Sequence, residues 1–374
     1  MIFYPPPIIP IVAPYLSTLQ KPYALAQTPC LTKTGADTIS IVAGTKAVVN
    51  GNLITYLSAT AATLDTGALA AGTDYAVYAL ADGTALFSAN FSAPDGYTTA
   101  NSQLIGGFHY APGGNAAAQA GGDTTPAINE YSIWDLKFRP RCADPRGMAL
   151  VADGFWVDIY LLNTDPDVNG TSKNNTTIAD GSNAPKIPAK FGGNGSTTYG
   201  SLTWYEAAEL AAASGKRLPA YAEMAAAAYG TTEAQARGSD AVTTGLGTTN
   251  TGSSNTDQEQ TSKWGLIQAT GVMWVWLRDI SFKPHTTALT GTPPADTDFE
   301  TWINAAKTTS YKAITESRGS VNTYGADGIA AGLFGGSWFT GSNAGSRASY
   351  WVVAPSHSSS SIGVRLACDH LILP

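Results

Sequence analysis

Residues able to do chemistry are sparse in this chain and poorly spaced for it. The four histidines, His109, His285, His357 and His370, stand far apart, with no HxxxH pair and no carboxylate at ligand spacing. A histidine-held iron or zinc centre is therefore not expected. The three cysteines, Cys30, Cys142 and Cys368, form no CxxC, and an odd number cannot pair off. Neither a disulfide scaffold nor a Cys-ligated zinc site is expected. Cys368 opens an apolar closing run and reads as an inert core thiol, and His370 beside it reads as a structural hydrogen bonder. Asp165-Pro166-Asp167 reads as a solvated turn rather than a cation loop. The expectation is no catalytic residue, no metal and no cofactor.

A different pattern occupies residues 337–362. Ser337, Phe339, Gly341 and Asn343 alternate with Trp338, Thr340, Ser342 and Ala344; later, His357, Ser359 and Ser361 alternate with Ser358 and Ser360. Period-two spacing sends alternate side chains to opposite sides of an extended backbone. With Trp338 turned inward, Ser337 and Phe339 point outward, and Tyr350 and Val352 lie opposite Trp351. The outward set mixes small, hydroxyl and aromatic groups, the adaptable and anchoring types of antibody paratopes. From the residues alone two readings stand: a serine-rich loop with no partner, or a face for non-covalent recognition in which exposed aromatic and aliphatic anchors would dominate affinity. Trp338, Arg347, Trp351, Arg365 and Asp369 read as framework. The arginines fork to carboxylate or backbone oxygens and fix long loops, with Asp369 a partner for one of them. Trp204, Trp274 and Trp276 join Trp338 and Trp351 as core candidates.

The elements that must hold this stretch are legible in part. The chain has 374 residues, 44% apolar and only 13% charged, so two or three domains with real cores and hydroxyl-rich loops are expected. A net charge of −7 with no Lys/Arg cluster argues against nucleic acid as a partner. No apolar run is long enough to insert in a membrane. The start, with Pro5, Pro6, Pro7, Pro10 and Pro14, excludes helix and lacks a basic leader region, so residues 1–28 read as an extended arm and a secretory signal is not expected. Residues 30–130 read as a small all-β sandwich, with a type I′ hairpin turn at Asn50-Gly51 and an alternating strand over Tyr75–Leu80 that breaks at Asp82-Gly83. Phe155–Leu162 reads as a strong strand. Thr203 with Glu206 makes a capping box for a helix ending at Gly215, and a second helix runs from Pro219 to Gly230. Residues 237–262 read as a long surface loop and 280–320 as an insertion. The fold class is α+β.

Four landmarks in fixed order carry a resemblance: Gly215-Lys216-Arg217-Leu218-Pro219; Gly271-Val272-Met273-Trp274-Val275-Trp276; Phe334-Gly335-Gly336-Ser337-Trp338 with Gly345-Ser346-Arg347-Ala348; and Gly363-Val364-Arg365-Leu366-Ala367. Together they resemble the formylglycine-generating-enzyme branch of the C-type lectin fold, which implies such a domain over residues 131–374. The reactive cysteines of that enzyme class have no counterpart between Cys142 and Cys368. Further segments, Gly106–Gly113, Asp144-Pro145-Arg146-Gly147-Met148, Thr261-Ser262-Lys263-Trp264-Gly265 and Cys368–Leu373, are similar to the tropism-determinant family of phage receptor-binding proteins, diversified by a retroelement.

That resemblance runs from about residue 30 to the end and fails over 1–28. It implies a variable region over about 334–368, with diversified positions Ser337, Phe339, Gly341, Asn343, Tyr350, Val352, Val353, His357, Ser359, Ser361 and Ile362. It also implies a non-enzymatic protein at the tail-fibre tip of a virion, meeting a bacterial surface protein or glycan at the host cell surface and setting host tropism. A homotrimer that adds avidity and attachment to tail-fibre components through the arm are further implications. The alternatives are a cellular retroelement-diversified surface protein and, behind it, a formylglycine-generating-type enzyme.

Overall fold

The computed structural model describes residues 28–112, 125–246, 260–283, 318–322 and 328–371. The expected arm up to residue 27, most of the expected insertion and His285 lie outside the described residues. The chain is mostly β with few helices, a sandwich-like arrangement of sheets.

The first part holds β1 (Leu31–Lys33), β2 (Ile39–Ile41), β3 (Lys46–Val49), β4 (Asn52–Thr55), β5 (Thr60–Leu64), β6 (Thr73–Leu80), β7 (Ala85–Ser88), β8 (Ser102–Ala111), β9 (Ala127–Ile128) and β10 (Trp134–Asp135). One sheet runs β1-β2-β5-β7-β6-β8-β10, with β9 paired to β8, and β3 and β4 form a separate hairpin. Asn50 and Gly51 turn that hairpin with φ of 48° and 80°, the positive pair a type I′ turn needs. In β6, alternation feeds two cores. Tyr75, Val77 and Ala79 pack into one cluster with Val49, Phe87 and Phe108. Ala76, Tyr78 and Leu80 pack into another on the opposite face.

The sheet continues past the boundary expected near residue 130, because Trp134 and Asp135 pair with Gly107 and Gly106. Glycine is required there: a Cβ on Gly106 would come 2.3 Å from the Trp134 carbonyl oxygen.

The second part holds β11 (Met148–Val151), β12 (Phe155–Asp158), helices α1 (Pro166–Asn169), α2 (Trp204–Ala213) and α3 (Tyr221–Ala227), then β13 (Trp274–Lys283), β14 (Val321–Asn322), β15 (Gly328–Phe334), β16 (Ser349–Tyr350), β17 (Ile362–Gly363) and β18 (Ala367–Asp369). Thr203 caps α2 as the sequence predicts: its hydroxyl accepts from the Tyr205 amide at 3.2 Å, and its own amide donates to Glu206 at 2.7 Å. The second helix is shorter than predicted and starts two residues beyond Pro219, where Glu223 accepts from the Ala220 amide.

The predicted strand over Phe155–Leu162 also shortens. β12 stops at Asp158, and the following amides donate elsewhere, Ile159 to Gly147 and Leu162 to Val364. A three-stranded sheet β11-β12-β18 closes the second part by pairing its first strands with its last, and a five-stranded sheet runs β14-β16-β15-β13-β17.

The two parts are joined through buried polar groups. His109 on β8 bonds Asp74 through Nδ1 at 2.9 Å and the Tyr160 hydroxyl through Nε2 at 3.0 Å. Asp74 also accepts from the Gly147 amide. His109→Leu leaves the buried Tyr160 hydroxyl without its partner and Asp74 with only the Gly147 amide. We expect a loss of about 2 kcal/mol, the scale for buried polar groups left unpaired, read as a lower urea midpoint; an unchanged midpoint would show the joint to be indifferent to this bond.

Candidate functional site

β15 ends where β13 and β17 begin, so the chain between residues 335 and 361 leaves and re-enters the five-stranded sheet at one end. It does so in two arcs. The first, 335–348, runs from β15 to β16. The second, 351–361, crosses from β16, on one flank of β15, to β17 beyond β13.

The first arc is pinned at its root by glycines. Gly335 and Gly336 have φ of 93° and 86°, and a Cβ on Gly336 would sit 2.6 Å from that of Ala344. Around it, the Gly271 amide donates to Gly335, the Trp338 amide to Val272, and the Gly238 amide to Trp338. Glu233 grips the far side: its carboxylate accepts from the Ser346 amide at 2.9 Å and from the Ser346 hydroxyl. A Cβ on Gly345 would come 2.4 Å from Glu233 Oε2, so glycine is needed beneath that clamp. Burial pushes the Glu233 carboxyl up from its usual range, against the Ser346 bonds that favour its charge. Arg347 donates to the Ala225 and Ser346 carbonyls.

The second arc rests on α2 and on the neighbouring loop. The Trp204 amide donates to Pro355, and the Gly181 amide to Ser359. Trp351 donates from Nε1 to the Ser349 hydroxyl at 3.0 Å. Trp276 is fully buried and Trp274 nearly so, while Trp204, Trp338 and Trp351 are half-buried against the cores.

This backbone rearranges the expected outward set. Phe339 is 61% exposed, standing edge-on to Trp338 at 4.9 Å. Gly341 and His357 are exposed as well; Asn343, Tyr350, Val352, Val353 and Ser359 are half-buried. Ser337, Ser361 and Ile362, expected to face outward, are buried at 0%, 5% and 2% exposure. The physical reason is that the chain is not extended here. Ser337 bonds Thr340 across a tight turn through amide and hydroxyl, and Gly341–Asn343 is a turn of 3-10 helix, so the period of two is lost. Ile362 lies inside because β17 pairs it with Trp274. Tyr350 is tilted against Trp274 at 5.6 Å, and that burial raises its hydroxyl pKa.

Of the expected framework pairings, one has a different partner. Arg365 is fully buried and donates to the carbonyls of Asp158, Ile159, Ile267 and Gln268. Asp369 bonds neither Arg347 nor Arg365 but Arg217, at 2.8 Å, because β18 lies beside residue 217. The Gly-Lys-Arg-Leu-Pro landmark thereby gains a role: Lys216 reaches the buried Asp158 at 2.5 Å, while Arg217 forks onto Glu223 and Asp369. Sequence reasoning missed Glu233, Asp158 and Lys216 as supports. Lys216 alone carried a signal, through its place in that landmark. Among the described residues no group of three His, Cys, Asp or Glu side chains could hold a metal, and no helix is long and apolar enough to cross a membrane.

Comparison with known proteins decides the family. Residues 29–135 match the family described as the Mtd second domain, and residues 198–370 match the sulfatase-modifying factor enzyme 1-like domain. The chain is 49% identical over 343 residues to the tail fiber receptor-binding protein of Bordetella phage BPP-1, covering 91% of this chain and 82% of that one. The chain belongs to the major tropism determinant family. Its structure is similar to the I1 and U1 variants of the major tropism determinant, each at a TM-score of 0.78, with 49% and 48% identity, over 93% of this chain and 85% of theirs.

The family is one of diversity-generating, retroelement-associated tail-fibre proteins of the virion, and the relatives matched are receptor-binding proteins, not enzymes. The first sheet, through β10, coincides with the Mtd second domain, and the sulfatase-modifying-factor match takes in both arcs.

Proposed function

We propose that the two arcs form the receptor-contact face of a tail-fibre tip, with Phe339, Gly341, Asn343, Tyr350, Val352, Val353, His357 and Ser359 as its variable positions. Ser337, Ser361 and Ile362, being buried, seat the arcs rather than touch a partner. The observation that carries this reading is an exposed Phe339 on a backbone tied down by Gly335, Gly336 and Glu233. Such a loop presents interchangeable side chains with little ordering cost on contact. The partner is a bacterial surface protein or glycan, and engagement sets host tropism.

In the same reading the chain divides into an arm, a sandwich domain reaching residue 135, and a C-type lectin-type domain beyond it. The arm attaches to tail-fibre components, and three copies assemble so that weak single contacts add by avidity.

Purified protein tests this directly. Saturating amounts added to host cells should block adsorption of the phage that carries it. Undiminished adsorption at saturating protein would overturn the assignment.

A further inference from the structure

Cys142 and Cys368 are distant in sequence and expected to be inert, yet the fold sets them side by side. Pro140 and His370 form an antiparallel bridge, the Arg141 amide donates to the Asp369 carbonyl at 2.9 Å, and the Leu371 amide donates to Arg139 at 2.8 Å. Counting on by two in that register puts 142 opposite 368, at a position where the two residues exchange no backbone hydrogen bonds. Cα atoms at such positions are about 4.5 Å apart, inside the span a disulfide bridges. The side chains agree: the Cys142 amide donates to Cys368 Sγ at 3.2 Å, and both residues are 3% exposed within one apolar cluster with Met148 and Trp156.

We propose that Cys142 and Cys368 are a cross-linking site, at which a low-molecular-weight disulfide of the oxidised-glutathione type converts the two thiols into one cystine. Cys368 is the attacking sulfur. The adjoining Cys142 thiol holds its pKa below the usual thiol range; burial opposes this, while the Cys142 amide and the Lys216 ammonium assist. The closeness of Cys368 and burial push the Cys142 thiol up, and that thiol donates to the Asp144 carbonyl at 3.2 Å.

The Cys368 thiolate attacks one sulfur of the glutathione disulfide, breaking its S–S bond and releasing one glutathione thiolate. That thiolate takes the proton from Cys142. The Cys142 sulfur then attacks the Cys368 sulfur of the mixed disulfide and expels the second glutathione. Two cysteine thiols are oxidised, and one glutathione disulfide is reduced to two thiols. Because both sulfurs are buried, the first step waits for the edge of β18 to open.

The bond would tie residue 142 to the last strand of the second part. It closes a loop of 226 residues that contains both arcs, constraining the unfolded chain strongly. A virion protein works outside the reducing cytosol, where such bonds persist. The third thiol, Cys30, sits on the first sheet with its amide donating to Asp135, and it supplies a control.

The test uses the full chain with Cys30→Ser, incubated with oxidised glutathione, alkylated in denaturant and digested without reductant. We expect the Cys142 and Cys368 peptides joined, no alkylation at either, and a Tm about 5–10 °C above the reduced protein. The rise should vanish in Cys142→Ser and Cys368→Ser. Full alkylation of both residues, or separate glutathione adducts on each, would overturn the proposal. The peptide result stands even where a serine variant fails to fold.

Discussion

Arg365→Met should cost the C-terminal part of the chain about 4 kcal/mol and lower its Tm by about 10 °C. The guanidinium is fully buried, yet it pairs mainly with backbone: two carbonyls at the end of β12 and two in the loop that leads to β13. Methionine fills similar volume and supplies no donors. The Asp158, Ile267 and Gln268 carbonyls then lose the guanidinium in an interior from which water is excluded, at roughly 1–3 kcal/mol each before relaxation, while the Ile159 carbonyl keeps the Ile267 amide. Burial lowers the Arg365 pKa to about 10, with Asp158 pulling the other way, so the side chain remains a cation at neutral pH.

Arg365→Lys should fare little better, since a point ammonium cannot span both loops as the planar fork does. Circular dichroism melts of the three proteins check this. A methionine variant melting within 2 °C of the parent would mean that the loop at residues 267–268 is held by its other bonds. The same loop supports the arcs, because Gly271 follows it and donates to Gly335. A partly folded Arg365 variant should therefore lose binding as well as stability.

Local features were legible in the sequence, and distant pairings were not. Asn50-Gly51, the Thr203–Glu206 box and the strand over Tyr75–Leu80 each depend on neighbours within a few residues, so spacing alone exposes them. The Phe334–Trp338 and Gly345–Ala348 landmarks located the arcs for a similar reason: the glycines answer local demands for positive φ at 335 and 336.

All but one of the differences have the opposite cause. Spacing does not reveal the partner of Asp369, because Arg217 is 152 positions away and is brought near only by the bridge between Arg217 and Ala367. Glu233 gave no sign, since a carboxylate in a loop after a helix reads as solvated until Ser346 folds onto it. Cys142 and Cys368 meet only because the closing strand returns to the start of the second part. Ser337 is the local exception: period-two spacing presumes an extended chain, which the Ser337–Thr340 turn breaks within three residues.

Phe339→Ala and Tyr350→Ala separate contact from support, although the alternating pattern puts both on one outward face. Phe339 has most of its ring in water and touches chiefly Trp338, so its loss should leave the Tm within about 1 °C, as for surface changes generally. Binding should fall by about 2 kcal/mol, roughly 30-fold in Kd, if the ring is an aromatic anchor desolvated by the receptor. Tyr350 is different. Half of it packs on Trp274 and the core beneath β13, so truncation removes stability too, by about 2 kcal/mol. Tyr350→Phe keeps that packing and isolates the hydroxyl.

Melting curves and adsorption of particles carrying each variant to host cells give the two readouts. The expected pattern is Phe339→Ala stable and non-adsorbing, Tyr350→Ala deficient in both, and Tyr350→Phe stable. A Phe339→Ala particle that adsorbs like the parent would remove the central anchor from the proposed face. The same result with Val352→Ala and His357→Ala would move the contact off these arcs altogether.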